Sequence, residues 1–120
     1  MSSSLEDRIS ALIGEAYPNF RVIKEFTVFF EGQKLRFDFY IPDLYLFIEV
    51  HGNQHFSFVE HFHKTLLGFI KSKRRDNLKK VYANSLQPSH GLVEIPEDEL
   101  DSLTVIGFRD RCFKALFFSE

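Results

Sequence analysis

The sequence has no tryptophan, a single cysteine and no long apolar run. Each absence removes a class of protein. One thiol, Cys112, excludes a disulfide framework and any multi-cysteine zinc module, so a reducing compartment is expected. No apolar stretch approaches 18 residues, and the opening MSSSLEDR lacks the basic start and apolar centre of a signal peptide. These features predict a soluble, cytoplasmic protein without a membrane partner. There is also no glycine-rich phosphate loop and no serine or cysteine placed for nucleophilic catalysis. What is present fits one globular domain over residues 1–120, with 44% hydrophobic and 27% charged residues and an aromatic supply dominated by fifteen phenylalanines.

A net charge of −2 hides an uneven distribution. Residues 61–90 carry seven basic residues against one acid, Asp76, whereas residues 91–120 carry seven acids against three bases. Lys71, Lys73, Arg74, Arg75, Lys79 and Lys80 form the basic segment. On a helix Arg75 would lie beside Lys79, and Lys73 beside Lys80, giving a face suited to phosphate contacts or simply a solvated helix surface.

Hydrophobic spacing sets the expected elements. Leu5, Ile9, Leu12, Ile13 and Ala16 predict a helix over about 4–16 behind a serine cap. Strands follow over 22–30, 35–41 and 45–51, joined by turns at 31–33 and 42–44, as an antiparallel meander covered on both faces. Ser57 and Glu60 resemble a capping box opening a second helical region, either continuous or broken at Gly68 and Ser72. A short strand over 92–95 and a last helix over about 98–117 complete the chain, the latter with Leu100, Leu103, Ile106, Phe113, Leu116 and Phe117 as its apolar stripe. The predicted class is α/β (α+β), with a mixed central sheet of about four strands flanked by helices in the order αβββαβ followed by a C-terminal helix.

The informative stretch is LRFDFYIPDLYLFIEVHGNQHF, residues 35–56. A turn at 42–44 sets Asp38 opposite Glu49 in an antiparallel pair, so two carboxylates sit roughly 5 Å apart within core-forming strands. That arrangement is unfavourable unless a cation lies between them, and a divalent metal is the economical explanation. Strict alternation places Arg36, Asp38 and Tyr40 on one face, with Phe37, Phe39 and Ile41 on the other. Tyr45, Phe47, Glu49 and His51 share a face in the next strand. A structural ion pair of Asp38 or Glu49 with Arg36 is the plain alternative. Histidines at 51, 55, 61 and 63 raise zinc as a rival metal, although the 51 to 55 spacing follows a strand and contains a glycine.

An acid in one strand, a turn, and a second acid leading into Glu49, Val50, His51, Gly52, Asn53, Gln54 and His55 resembles the PD-(D/E)XK nuclease superfamily. The similarity is to its small phage and bacterial branch, near the very-short-patch repair and related homing endonucleases. It spans roughly residues 4–96, with 37–56 the specific part. The resemblance implies a restriction-endonuclease-like core and a metal-dependent endodeoxyribonuclease. Asp38 and Glu49 would bind Mg²⁺ or Mn²⁺ together with the Val50 carbonyl. Glu6 on the first helix would add a further acid, and Gln54 and His55 would extend the site. Where the superfamily usually has lysine, two residues after the second acid, this chain has His51. Either His51 or His55 would then handle the proton or the phosphate. Arg36 and the basic segment would hold DNA. With no room for a separate reader domain, recognition would fall to DNA structure, a homodimer or a specificity-conferring protein partner. The competing expectation is a catalytically inactive nuclease fold serving as a nucleic-acid-binding or protein-interaction module.

Overall fold

The computed structural model describes residues 4–52 and 65–118. Helix α1, Ser4–Ala16, buries Ile9, Ile13 and Ala16, the positions that helical spacing puts on one side. Strands β1 (Ile23–Phe30), β2 (Gln33–Ile41) and β3 (Leu46–His51) form an antiparallel meander. After helix α2 (Leu66–Ser85), strand β4 (Gly91–Pro96) pairs parallel to β3, giving a four-stranded sheet ordered β1-β2-β3-β4. Helix α3, Val105–Phe117, ends the described chain. The β2–β3 turn is a short 3-10 segment, Pro42–Leu44, closed by Tyr45 in a left-handed conformation with its N–H bonded to the Pro42 carbonyl at 3.0 Å.

Two cores form because the sheet is covered on both sides. One face packs Phe39, Ile41, Leu46, Ile48, Val93 and Ile95 against Ile9 and Ile13 of α1 and Phe108 and Cys112 of α3. The other packs Leu35, Phe37 and Phe47 against Ala83, with Leu78 and Tyr82 of α2 at its margin. This second core is aromatic. Phe37 stacks on Phe47 at 4.2 Å and Tyr40 on Phe47 at 4.5 Å, and Tyr82 approaches Phe37 and Phe47 from the helix. Truncating Phe37 or Phe47 to alanine removes about 3–5 kcal/mol at such a site. Buried His90 secures the entry to β4: its Nδ1 donates to the Pro88 carbonyl (2.8 Å), leaving Nε2 to accept from the Tyr40 hydroxyl (3.0 Å).

Three expectations need correction. Strict alternation along β2 put Phe37 on one face with Phe39 and Ile41, but Phe37 and Leu35 belong to the α2 core whereas Phe39 and Ile41 belong to the other. The strand changes sides at Asp38. Opposite it, Glu25 has φ +53, and the β1–β2 ladder skips that pair while keeping its register on either side. An irregularity of this kind re-aims side chains locally. Secondly, α2 runs unbroken across Gly68 and Ser72, and its start is fixed by Thr65, whose extended backbone and side-chain bond to the Gly68 N–H make it the N-cap. The helical region therefore does not run continuously through 65, and the Ser57 and Glu60 capping box lies outside the described residues. Thirdly, the expected last helix begins as a 3-10 segment, Glu97–Ser102, and restarts at Val105 under a Thr104 cap. That interruption resets the helical phase. Leu100, Leu103 and Leu116 of the expected stripe pack on the core together with Phe108 and Cys112, whereas Ile106, Phe113 and Phe117 are exposed.

Candidate active site

β2 and β3 pair from Ile41↔Leu46 to Phe39↔Ile48, and the next step of that register brings Asp38 opposite Glu49. There the backbone ladder gives way to side chains. The Asp38 N–H donates to Glu49 Oε2 at 3.3 Å, and the Val50 N–H donates to Asp38 Oδ2 at 2.9 Å. Both acids are buried, Asp38 8% and Glu49 4% exposed. They form the floor of a cleft of about 300 Å³ between the sheet and α2. Arg36, Lys34 and His51 complete the strand side, and Ser72, Arg75, Asp76 and Lys79 line it from the helix.

The electrostatics are those of two buried carboxylates held together. Burial first, and then the neighbouring Asp38 charge, push the Glu49 carboxyl up to about 8 despite the opposing pull of Lys79. Lys79 forms an ion pair with Glu49 Oε1 and lies 5.6 Å from the centre of the Phe37 ring. Arg36 bridges Glu25 (2.7 Å) and Asp38 (3.4 Å). The cation that the sequence argument requires beside the two acids is supplied within the chain by Arg36 at Asp38, the ion pair expected as the plain alternative to a metal, and by Lys79 at Glu49.

His51 is buried, with Nε2 3.2 Å from Glu94 Oε2, and Lys80 reaches the other oxygen of Glu94 at 3.2 Å. Burial alone would raise the Glu94 pKa, but the bonds from His51 and Lys80 outweigh it and hold the carboxyl below its ordinary value. Glu94 is the residue that sequence reasoning missed. The parallel register sets Glu94 beside Glu49, so Asp38, Glu49 and Glu94 form a row across three strands. Only the β3–β4 register reveals it, and no turn signals that register in the sequence.

The remaining expected residues divide. Val50 belongs to the cleft: a strand residue's N–H and C=O emerge on the same edge, so its carbonyl lies on the side that its N–H offers to Asp38. Glu6 sits on α1, which packs on the opposite face of the sheet, and is not among the described residues lining the cleft. Gln54 and His55, with His61 and His63, lie outside the described residues. The basic segment is split: Arg75 and Lys79 enter the cleft, Lys71 and Arg74 line an adjoining groove shared with Gln33, and Lys73 lies beside Arg74 farther along α2. Cys112 is buried against Tyr17, and burial pushes its thiol up to about 11, which suits packing and not nucleophilic chemistry.

Two carboxylates and a strand carbonyl are oxygen donors of the kind a hard divalent cation takes while keeping several waters, so the residues fit Mg²⁺ or Mn²⁺. Among the described residues no group of three histidine, cysteine or acidic side chains is arranged around one metal position. No helix among them is long and apolar enough to cross a membrane.

The chain is similar to the uncharacterized protein 307L of Invertebrate iridescent virus 6, with 39% identity over 62 residues, 52% of this chain. It spans 30% of that relative's length. The relative's name states no activity. No family model and no solved structure matches the chain.

Proposed function

We propose that this protein is a metal-dependent endodeoxyribonuclease with a restriction-endonuclease-like core of the PD-(D/E)XK type, active on DNA as a structure-specific or weakly sequence-specific enzyme. The observation that carries this reading is the pairing of Asp38 and Glu49 at the floor of a cleft whose helix wall presents Arg75 and Lys79. A divalent cation held by Asp38, Glu49 and the Val50 carbonyl would supply Lewis-acid charge to the phosphodiester and lower the pKa of an attacking water. Lys79, reaching the acids from α2, supplies the ammonium that the sequence lacks at position 51, and its charge is placed to hold a phosphate oxygen or the incoming water. His51 is turned toward Glu94, so it orients the β3–β4 edge and does not serve as the base. Arg36, Arg75 and Lys71 lie where a phosphate backbone entering the cleft would be neutralised. DNA is the partner, with selectivity left to its structure, to a homodimer or to a specificity-conferring protein.

The test is incubation of supercoiled, branched and single-stranded DNA with Mg²⁺ or Mn²⁺, comparing wild type with Asp38→Asn and Glu49→Gln. Metal-dependent cleavage by wild type and a loss of at least about 100-fold in each variant are expected, the size usual for removing a group that stabilises charge in the transition state. A second reading, an inactive nuclease fold that only binds, is favoured by the ion pairs that already engage both acids. DNA binding without cleavage on every substrate would decide for it.

A further inference from the structure

We infer that the outer face of the β1–β2 hairpin is a single-strand platform, on which an unpaired DNA base stacks on Phe29 while Lys34 and Arg36 guide its backbone to Asp38. The inference rests on the nuclease reading and names its substrate class. Phe26, Val28 and Phe30 turn inward to the α2 core, so alternation sends Thr27 and Phe29 to the other side of the hairpin. Phe29 is 78% exposed, more than any other phenylalanine described. It pairs across the hairpin with Lys34, and Thr27 pairs with Arg36. Lys34 and Arg36 both line the acid cleft. Lys34, Arg36 and Asp38 therefore follow one another along β2, with Lys34 four residues and roughly 14 Å from Asp38, while Phe29 lies beside Lys34 on β1.

The occupant is selected by chemistry. A flat ring flanked by cations attracts a π face attached to phosphate, the combination that single-stranded nucleic acid offers. In a duplex the base faces are already stacked on one another, leaving the ring nothing to pair with. Asp38 and Glu49 are buried beneath α2 in a cleft of about 300 Å³, a volume that suits a segment of one extended backbone better than a paired helix. Glu31 at the turn sets an acidic limit to the strip beyond Phe29. Glu25, the acid of β1, is engaged by Arg36.

The experiment measures binding apart from cleavage. Fluorescence anisotropy with a labelled oligodeoxynucleotide, single-stranded or as a blunt duplex of the same sequence, is recorded in EDTA at fixed salt for wild type, Phe29→Ala, Phe29→Trp and Lys34→Ala. Expected are tighter binding of the single strand, about a tenfold loss in Phe29→Ala, retention in Phe29→Trp, and less than a twofold change for the duplex. Lys34→Ala weakens the single strand and, in a repeat over a salt series, lowers the salt slope by about 0.7. Because Phe29 is exposed, melting temperatures of the variants should match wild type. Equal losses on single strand and duplex, no effect of Phe29→Ala, or a change in oligomeric state in its place overturns the inference while the nuclease reading stands. Single-strand binding that depends on Phe29, with no cleavage of any DNA by wild type in Mg²⁺ or Mn²⁺, removes the nuclease reading and leaves the platform.

Discussion

Replacing Glu49 by glutamine separates what the acid does for folding from what it does for chemistry. In the folded protein burial and Asp38 push the Glu49 carboxyl from 4.5 up to about 8. Between those values the folded state holds a proton that the unfolded chain has released. Stability contributed by Glu49 is therefore fully present below about pH 4.5 and is lost as pH rises toward 8. At about 1.4 kcal/mol per unit the ceiling is roughly 5 kcal/mol, and relaxation around the Lys79 pair reduces the expected loss to about 1–3 kcal/mol. Glutamine keeps the shape and cannot ionise. Urea unfolding of both proteins at pH 5, 6, 7 and 8 without divalent ions should show the variant gaining on wild type by that amount across the range. The Glu94 carboxyl, held low by His51 and Lys80, has the opposite sign and loses its contribution as pH falls, but it is common to both proteins and cancels in the difference. Millimolar Mg²⁺ should raise wild type and not the variant, most strongly near pH 8, where ionised Glu49 is easiest to reach. Parallel stability curves for the two proteins would refute the argument that Glu49 is buried against a second charge.

Lys79→Met removes the positive partner of Glu49, so it should cost about 1–3 kcal/mol at pH 8 and clearly less at pH 5, where Glu49 is already protonated; in the cleavage assay it should lower turnover more than DNA affinity. Gly91→Ala tests how closely β4 approaches α3, because an added Cβ would stand 3.0 Å from the Ala115 carbonyl carbon and oxygen and 3.2 Å from the Leu116 nitrogen. Backbone on both sides leaves no side chain to swing away, so a loss of about 1–3 kcal/mol is expected in thermal unfolding, and an unchanged melting temperature would show that α3 can shift freely.

What the sequence revealed and what it hid follow from how local each determinant is. The turn at Pro42–Leu44 is a short-range signal, and it was enough to set Asp38 against Glu49, since antiparallel pairing has one register once its turn is placed. β4 arrives after a twenty-residue helix, and nothing local says which of its residues will lie beside Glu49. Glu94 was invisible for that reason. The reversal of sides at Asp38 was hidden because it depends on a left-handed glutamate, Glu25, on the neighbouring strand, where composition would have suggested glycine. Lys79 was legible as a basic helix residue. Its arrival at Glu49 is a consequence of how α2 crosses the aromatic core around Phe37 and Tyr82. In α3 the stripe was read only in part: Leu116 reaches the core as expected but Ile106, Phe113 and Phe117 do not, because a break at Leu103 and Thr104 cannot be distinguished by hydrophobicity from a helix that continues.

The change of sides at Asp38 has an architectural consequence. It divides β2 into an inner half, tied to α1 and α3, and an outer half that belongs to the hairpin and α2. The two halves keep separate inside-to-outside patterns. Lengthening the hairpin by two residues on each strand, near Val28 and Leu35, would carry the turn outward by roughly 7 Å and leave the inner register, with both carboxylates, where it is. The reach of the arm and the placement of the acids are thus independent variables, and on the nuclease reading a relative could change how far along a DNA strand it touches without rebuilding the place where that strand would be cut.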